Sequence, residues 1–322
     1  MKLSPVVLEP RPVARPWGGR GVLRLFGWEG PPDGPTGEWW VLSTRPEAQS
    51  FVAHGPLAGV TLGELIARHG EALLGSRLMS GPSAPFPLLI KILDADDALS
   101  VQLHPSEATD PALAKTEAWL VLAASPESVL YLGLKEGVTT KSLFDAIEQN
   151  ENPRSLLGAR TVKSGDVAYL PAGRIHAFGA KLVALEVQQN SDTTYRLYDW
   201  HRKPGRPLHV EQARRAAAAD QPSTLVVPRV LQLQPYRRIG LVGCEYFQME
   251  ALELESSVEM VSDPECCSIL VPLAGKGAIV CEPHRLTWCL GAAHLLPASL
   301  GPFRLEPATA ARLVRILPVK SP

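Results

Sequence analysis

The chain never runs far without a residue that breaks regular structure. Its 322 residues include 26 glycines and 30 prolines, and the apolar stretches between them are short. PLLIKILD (87–94), AWLVLA (118–123), VLYLG (129–133), DVAYLP (166–171) and LVALEVQQ (182–189) are each bounded by Gly, Pro or Asp. Spacing of this kind suits many short strands joined by turns better than a helical bundle. The same texture fills the last third, in EYFQMEALEL (245–254), SILVPLAG (268–275), GAIVCE (277–282) and RLVRILP (312–318). Continuous or one-sided apolar alternation favours a sandwich or jelly roll. With no alternation of strand and helix and no G-x-G-x-x-G after a strand, a dinucleotide-binding fold is not expected.

Three segments break the pattern with a helical period. In 61-TLGELIARHGEALLG-75, Leu62, Leu65, Ile66 and Leu73 share a face, and Thr61 with Glu64 forms a capping box. Residues 139–158 open on threonines and are interrupted by Pro153, and residues 209–220 are rich in helix formers. The Pro-rich stretch 220-DQPSTLVVP-228 reads as a boundary. The expected fold is therefore mainly β, two jelly rolls with a small helical insert. The first domain spans 1–225 and the second, without a metal site, spans 226–322.

Charge is balanced, with 32 basic and 33 acidic residues and no block of one sign, which argues against nucleic acid or an anionic membrane as partner. No apolar run is long enough to span a bilayer, and the first residues do not resemble a signal peptide. A soluble, cytoplasmic protein, monomeric or homodimeric, is the expectation. The five cysteines all lie beyond residue 240, without any C-x-x-C spacing, and read as reduced and mostly buried thiols.

Against this background 100-SVQLHPSEATDPALAKTEAWLVL-122 is unusual. Gln102 and His104 are two apart, so on a strand both leave the same face. Glu117 follows, and in 165-GDVAYLPAGRIHAF-178 a glycine turn at Gly173 precedes His176. Two imidazoles, a carboxylate and an amide oxygen suit a borderline divalent metal, zinc foremost, with a position left open for substrate. His54, His69, His201, His209, His284 and His294 lack comparable partners and read as structural.

The spacing G-x5-P-x-G-x2-H from Gly165 to His176 is similar to the second motif of the cupin superfamily. Longer runs narrow the resemblance. PWGG (16–19), GEWWVLSTRP (37–46), LLIKILDADDALSVQLHP (88–105), KTEAW (115–119), PAGRIHA (171–177) and EVQQNSDTTYRLYDW (186–200) together resemble type I mannose-6-phosphate isomerases, in their shorter bacterial branch. The resemblance runs from about residue 10 to about 215 and is weak beyond 230.

What this resemblance implies is a cupin-like jelly roll holding one zinc ion through Gln102, His104, Glu117 and His176. The substrate would be a sugar phosphate, mannose 6-phosphate, converted to fructose 6-phosphate through an enediol. Arg196 matches the family's catalytic arginine. Asp192, four residues earlier, would orient it or take part in proton transfer. Lys115 would contact a substrate oxygen or move a proton. Ser100 and Trp17 are further substrate contacts, and Glu38 also fits the family pattern. Arg11, Arg15 and Lys91 are candidates for the phosphate, with no basis for a choice, and no proton-transferring base is identified. The chain departs from the family at Phe178, where the longer branch has tyrosine, and at Ala114, where glycine is usual. A cupin of another chemistry, such as an iron dioxygenase, and a non-catalytic sugar-binding cupin are the alternatives.

Overall fold

The computed structural model describes residues 3–32, 34–79, 85–218 and 224–319. Strands dominate, and they pair antiparallel. The packing divides the chain into two compact units, each assembled from separated segments.

One unit comprises Met1–Arg11, Trp40–Ile90 and Val227–Pro322. Its larger sheet has the order Val6–Val7, His294–Leu296, Ser268–Ala274, Ala311–Pro318, Phe247–Leu254, Arg237–Gly243, Arg229–Gln232. A four-stranded sheet runs Val258–Val261, Pro302–Pro307, Gly277–Cys281, His284–Thr287. Leu252, Leu270, Ile279, Phe303 and Leu313 form its core. Helix Leu62–Leu74 belongs here and buries the stripe its period predicts, with the Thr61–Glu64 capping box formed.

The expected division put residues 1–225 in one domain, whereas here Met1–Arg11 and Trp40–Ile90 group with the C-terminal segment. The cause lies in the pairing. Val6 is opposite Leu295, Cys267 N–H donates to the Leu74 carbonyl at 2.8 Å, and Arg77 N–H donates to the Glu265 carbonyl at 3.0 Å. Part of the expected linker, residues 220–223, lies outside the described residues. Of the five free cysteines, Cys266 and Cys267 are buried, while Cys244, Cys281 and Cys289 are half-buried rather than enclosed. Among the described residues no helix is long and apolar enough to cross a membrane.

The other unit comprises Pro12–Trp39 and Lys91–Val226. A five-stranded sheet has the order Tyr195–Tyr198, Val101–Leu103, His176–Phe178, Val129–Leu134, Leu157–Thr161. Opposite it, Val167–Leu170, Glu117–Ala124, Leu182–Gln189 and Leu88–Ala95 are consecutive neighbours in a larger sheet. Trp17, Leu93, Trp119, Leu130, Phe178 and Leu182 pack in the core, which is the jelly-roll arrangement. On its other face the five-stranded sheet is covered by helices Thr140–Glu148 and Val210–Ala216, through Leu143, Phe144, Ala213 and Ala216. The first of these is shorter than its period suggested. The helix stops at Glu148, just before Asn150 takes a positive φ of 58°, Pro153 opens a separate 3-10 turn, and Leu157–Thr161 is strand.

Gly173 ties helix Val210–Ala216 to the sheet. Its φ is +79°, its N–H donates to the His104 carbonyl at 2.7 Å, and a Cβ there would meet the Ala216 carbonyl oxygen at 2.8 Å. Gly173→Ala therefore carries both a left-handed penalty and a backbone clash. A loss of at least about 2 kcal/mol is expected in urea unfolding, the left-handed term alone being about 1–2. An unchanged midpoint would mean that the turn is not under this constraint.

Candidate active site

The five-stranded sheet presents a row of side chains. His176 lies opposite Gln102, and Gln102 lies opposite Arg196 on the next strand, so all three project to one face. His104 follows the end of Val101–Leu103. The loop after it closes when Lys115 N–H donates to the Pro105 carbonyl at 3.0 Å, which brings Lys115 and Glu117 back beside the histidines. Glu117 begins the strand Glu117–Ala124 of the facing sheet, opposite Gln188.

His104, Glu117 and His176 place their ligand atoms within 4.8 Å of one another, all buried. Nε2 of His104 is 3.4 Å from one Glu117 oxygen and Nε2 of His176 is 3.3 Å from the other. Each ring is aimed from behind. His104 Nδ1 donates to the Thr193 carbonyl at 2.7 Å, and His176 Nδ1 donates to the Arg174 carbonyl at 2.9 Å. Those bonds leave a lone pair on each Nε2, facing the carboxylate. His104 Nε2 and both Glu117 oxygens are buried without a hydrogen bond. Three buried acceptors converge on one point with only the Lys115 ammonium beside them, an arrangement that is costly in a protein interior and suits a cation.

Protonation agrees with that donor set. Burial lowers the His176 imidazole to about 3, with Glu117 opposing, and burial followed by the Lys115 charge lowers His104. Burial works to raise the Glu117 carboxyl, but Lys115, His104 and His176 outweigh it and hold it well below the usual range. Two neutral imidazoles and a carboxylate are the forms that bind metal. The Lys115 ammonium lies 2.8 Å from a Glu117 oxygen. Gln102 is differently engaged. Its Oε1 accepts from Ser100 Oγ at 2.9 Å, and its amide nitrogen is 3.4 Å from His176 Nε2. A half-turn of the amide would bring the oxygen to the cluster.

A cavity of about 370 Å³ opens beside the cluster, lined among others by Trp17, Ser100, Gln102, Lys115, Asp192 and Arg196. Arg196, Lys115, Asp192, Ser100 and Trp17 thus reach one space, whereas Arg11, a phosphate candidate from the sequence, does not line it. Their pairing differs from expectation in one respect. Asp192 does not hold Arg196. Its carboxylate is 2.5 Å from Lys91 Nζ and 3.4 Å from Arg15 Nη2, while Arg196 Nη1 donates to the Pro207 carbonyl at 2.8 Å. Asp192 lies in the loop between Leu182–Gln189 and Tyr195–Tyr198, so the interval of four residues does not bring the two side chains together.

Lys91 and Glu186 were given no catalytic role by the sequence, and both line this cavity. Lys91 is 2% exposed and sits between Asp192, Glu38 at 3.4 Å and Glu186 at 3.7 Å. Burial disfavours its charge, but the three carboxylates prevail and raise its pKa. Glu186 accepts from Trp119 Nε1 at 2.9 Å. Burial pushes its carboxyl up to about 7, with Glu117 adding to the shift and Lys115 and Lys91 opposing. A signal existed in 182-LVALEVQQ-189. Leu182 and Ala184 face the core, and the same alternation brings Glu186 and Gln188 inward, so the inner face turns from apolar to polar.

The family model for the type I phosphomannose isomerase catalytic domain matches residues 7–127. The mannose-6-phosphate isomerase of Streptococcus mutans is 34% identical over 94% of this chain and 95% of its own. That of Bacillus subtilis is 34% identical over 95% of this chain and 97% of its own. A crystal structure of mannose 6-phosphate isomerase from Bacillus subtilis superposes with a TM-score of 0.87 at 29% identity, covering 98% of this chain and 99% of that one. A mutant of the Salmonella typhimurium phosphomannose isomerase shares the fold, with a TM-score of 0.78 at 16% identity over 98% of this chain and 100% of that one. The likeness therefore continues through the C-terminal segment, where the sequence motifs are weak. With near-complete coverage at this identity, the chain belongs to the type I phosphomannose isomerase family.

Proposed function

We propose that this protein interconverts mannose 6-phosphate and fructose 6-phosphate through an enediol, with a divalent metal, zinc by its donor set, held by His104, Glu117 and His176. The observation that carries this reading is the buried His–Glu–His cluster beside a cavity lined by Gln102, Lys115 and Arg196. The names of the full-length relatives supply the substrate. When bound, the metal would polarise the O1/O2 edge of the open-chain sugar and help orient it.

The remaining chemistry falls to side chains of this protein. Aldose–ketose conversion removes a proton beside a carbonyl and returns it to the neighbouring carbon, with negative charge growing on oxygen. Arg196 stands one strand from Gln102, and its Nε is buried without a partner. It can donate to that oxygen without losing its own proton. Lys115 is positioned to donate to a substrate oxygen from beside Glu117. Trp17, 2% exposed, walls the cavity, and Ser100 sets the Gln102 amide.

For the proton itself the buried carboxyl of Glu186 is the best suited group, since a pKa about 7 lets it take and return a proton near neutrality. Asp192 is a poor carrier. Burial would raise it, but Lys91, Lys115 and Arg15 hold it down to about 2, so it stays ionised and serves to balance Lys91 and Arg15.

Coupled detection of fructose 6-phosphate from mannose 6-phosphate tests the whole reading. Turnover should vanish on chelation and return with zinc, and Glu117→Gln should lose both bound metal and activity. Turnover indifferent to chelation would remove the metal from the mechanism. Glu186→Gln should retain metal yet lose on the order of 10²–10⁴-fold in kcat, the usual range for a proton-transferring group. A loss of less than tenfold would reassign Glu186 to structure.

The Asp192 network also predicts an acid limit. Its folded pKa lies below the ordinary carboxylate value of 3.8, so its stabilisation is present above about pH 4 and fades as pH falls toward 2. Asp192→Asn should cost up to about 2 kcal/mol near neutrality, and the difference from the parent should shrink across that window in urea titrations. A penalty independent of pH would mean that the ion pairs are not its source.

A further inference from the structure

The cavity must hold a phosphate dianion at the end of a six-carbon chain whose first carbons lie at the metal cluster. Each cation considered from the sequence is already committed elsewhere. Arg15 gives Nε and Nη2 to Glu38 at 2.8 and 3.1 Å, with Nη2 also 3.4 Å from Asp192. Lys91 lies among three carboxylates. Arg11 does not line the cavity and is 3.8 Å from Glu9. Lys115 is paired with Glu117 at the metal end. Arg202 donates to Asp97 at 3.0 Å and to the Ala98 carbonyl at 2.6 Å.

One cavity-lining cation differs. Arg206 gives Nε and Nη2 to Asp199 at 2.8 and 2.5 Å. Its remaining nitrogen, Nη1, has no partner among the described residues. Asp199 is itself 7% exposed and also faces Arg202 at 3.5 Å, so it fixes the guanidinium plane without fully balancing the local positive charge. The neighbouring residue completes the arrangement, because the Pro207 carbonyl accepts from Arg196. Arg196 and Arg206 are thus held side by side at the edge of the sheet farthest from His176 in the row His176, Gln102, Arg196. Three neighbouring strands span about 10 Å, a reach matched to a hexose phosphate lying along the row. Burial lowers the Arg196 pKa, and the next largest cause is the Arg206 charge. Two guanidinium groups lining the same cavity, with Arg206 Nη1 unpartnered and only one carboxylate, Asp199, bonded to either, favour an anion beside them.

We propose that Arg206, braced by Asp199, binds the 6-phosphate and so selects phosphorylated over free sugars. This inference rests on the isomerase reading above, which supplies the substrate. The side chain is 23% exposed, consistent with a phosphate that enters last and stays partly solvated.

The test compares the metal-loaded parent with Arg206→Met and Arg206→Lys. In Arg206→Met the KM for mannose 6-phosphate should rise at least tenfold, with kcat falling by a smaller factor. Competitive inhibition by inorganic phosphate should weaken in parallel, and Arg206→Lys should recover part of both. Unchanged KM and unchanged phosphate inhibition would overturn the proposal. So would equal losses in Arg206→Met and Arg206→Lys accompanied by a lower melting temperature, since that pattern marks a structural brace for Asp199. Binding of inorganic phosphate to the same proteins by calorimetry separates this inference from the isomerase reading. A parent that fails to turn over mannose 6-phosphate but binds phosphate through Arg206 would sink the reaction and retain the anion site. A parent that turns over and binds phosphate equally with and without Arg206 would do the reverse.

Discussion

Glu117 is a carboxylate with no exposed surface, and the groups nearest its oxygens are one ammonium and two imidazoles. Left alone, such a group would take up a proton or open the structure. Here Lys115 approaches one oxygen while two imidazoles face the pair, and each imidazole is turned toward it by a backbone carbonyl behind the ring. The arrangement tolerates a buried charge because its surroundings are built to receive a cation. The strand end at Leu103, the loop that returns at Lys115 and the turn at Gly173 are all constrained by the need to bring these groups to one point.

A second set of buried charges continues from the first. Lys91 is almost fully enclosed and is balanced by Asp192, Glu38 and Glu186, with Arg15 joining through Glu38 and Asp192. Removing any one of these groups leaves another uncompensated in a medium where that is expensive. The network divides the cavity electrostatically. Carboxylates and Lys91 concentrate on the sheet that contributes Glu117, and guanidinium groups gather around Arg196 and Arg206. A substrate with reacting oxygens at one end and a phosphate at the other fits that polarity.

Much of the site could be read before the fold was known. Gln102 and His104 stand two apart on a strand, Lys115 and Glu117 repeat that interval, and Gly173 precedes His176 by a turn. Those short-range intervals are set by strand geometry, so they survive translation into three dimensions. The intervals that misled were those crossing the end of an element. Asp192 and Arg196 are four apart, but a loop lies between the first and the strand of the second, and each finds its partner far away in sequence. Glu186 lies in an apolar run with no motif of its own to mark it as functional. Its alternation with Leu182 and Ala184 puts it on the inner face, and the pairing of Leu182–Gln189 with Glu117–Ala124 brings that face to the cluster.

The density of glycine and proline, the short apolar runs and the alternation within them determined a mainly β chain built from short paired strands, since no longer element can form between such breakers. The same local rules placed four ligand-type residues on strand faces and turns. Tertiary structure decided which charges meet. Arg15 pairs with Glu38, Lys91 with Asp192 and Arg206 with Asp199, and Met1–Arg11 and Trp40–Ile90 pack with the C-terminal strands. These outcomes depend on which strands become neighbours and on how little water remains between them, quantities that no local spacing encodes.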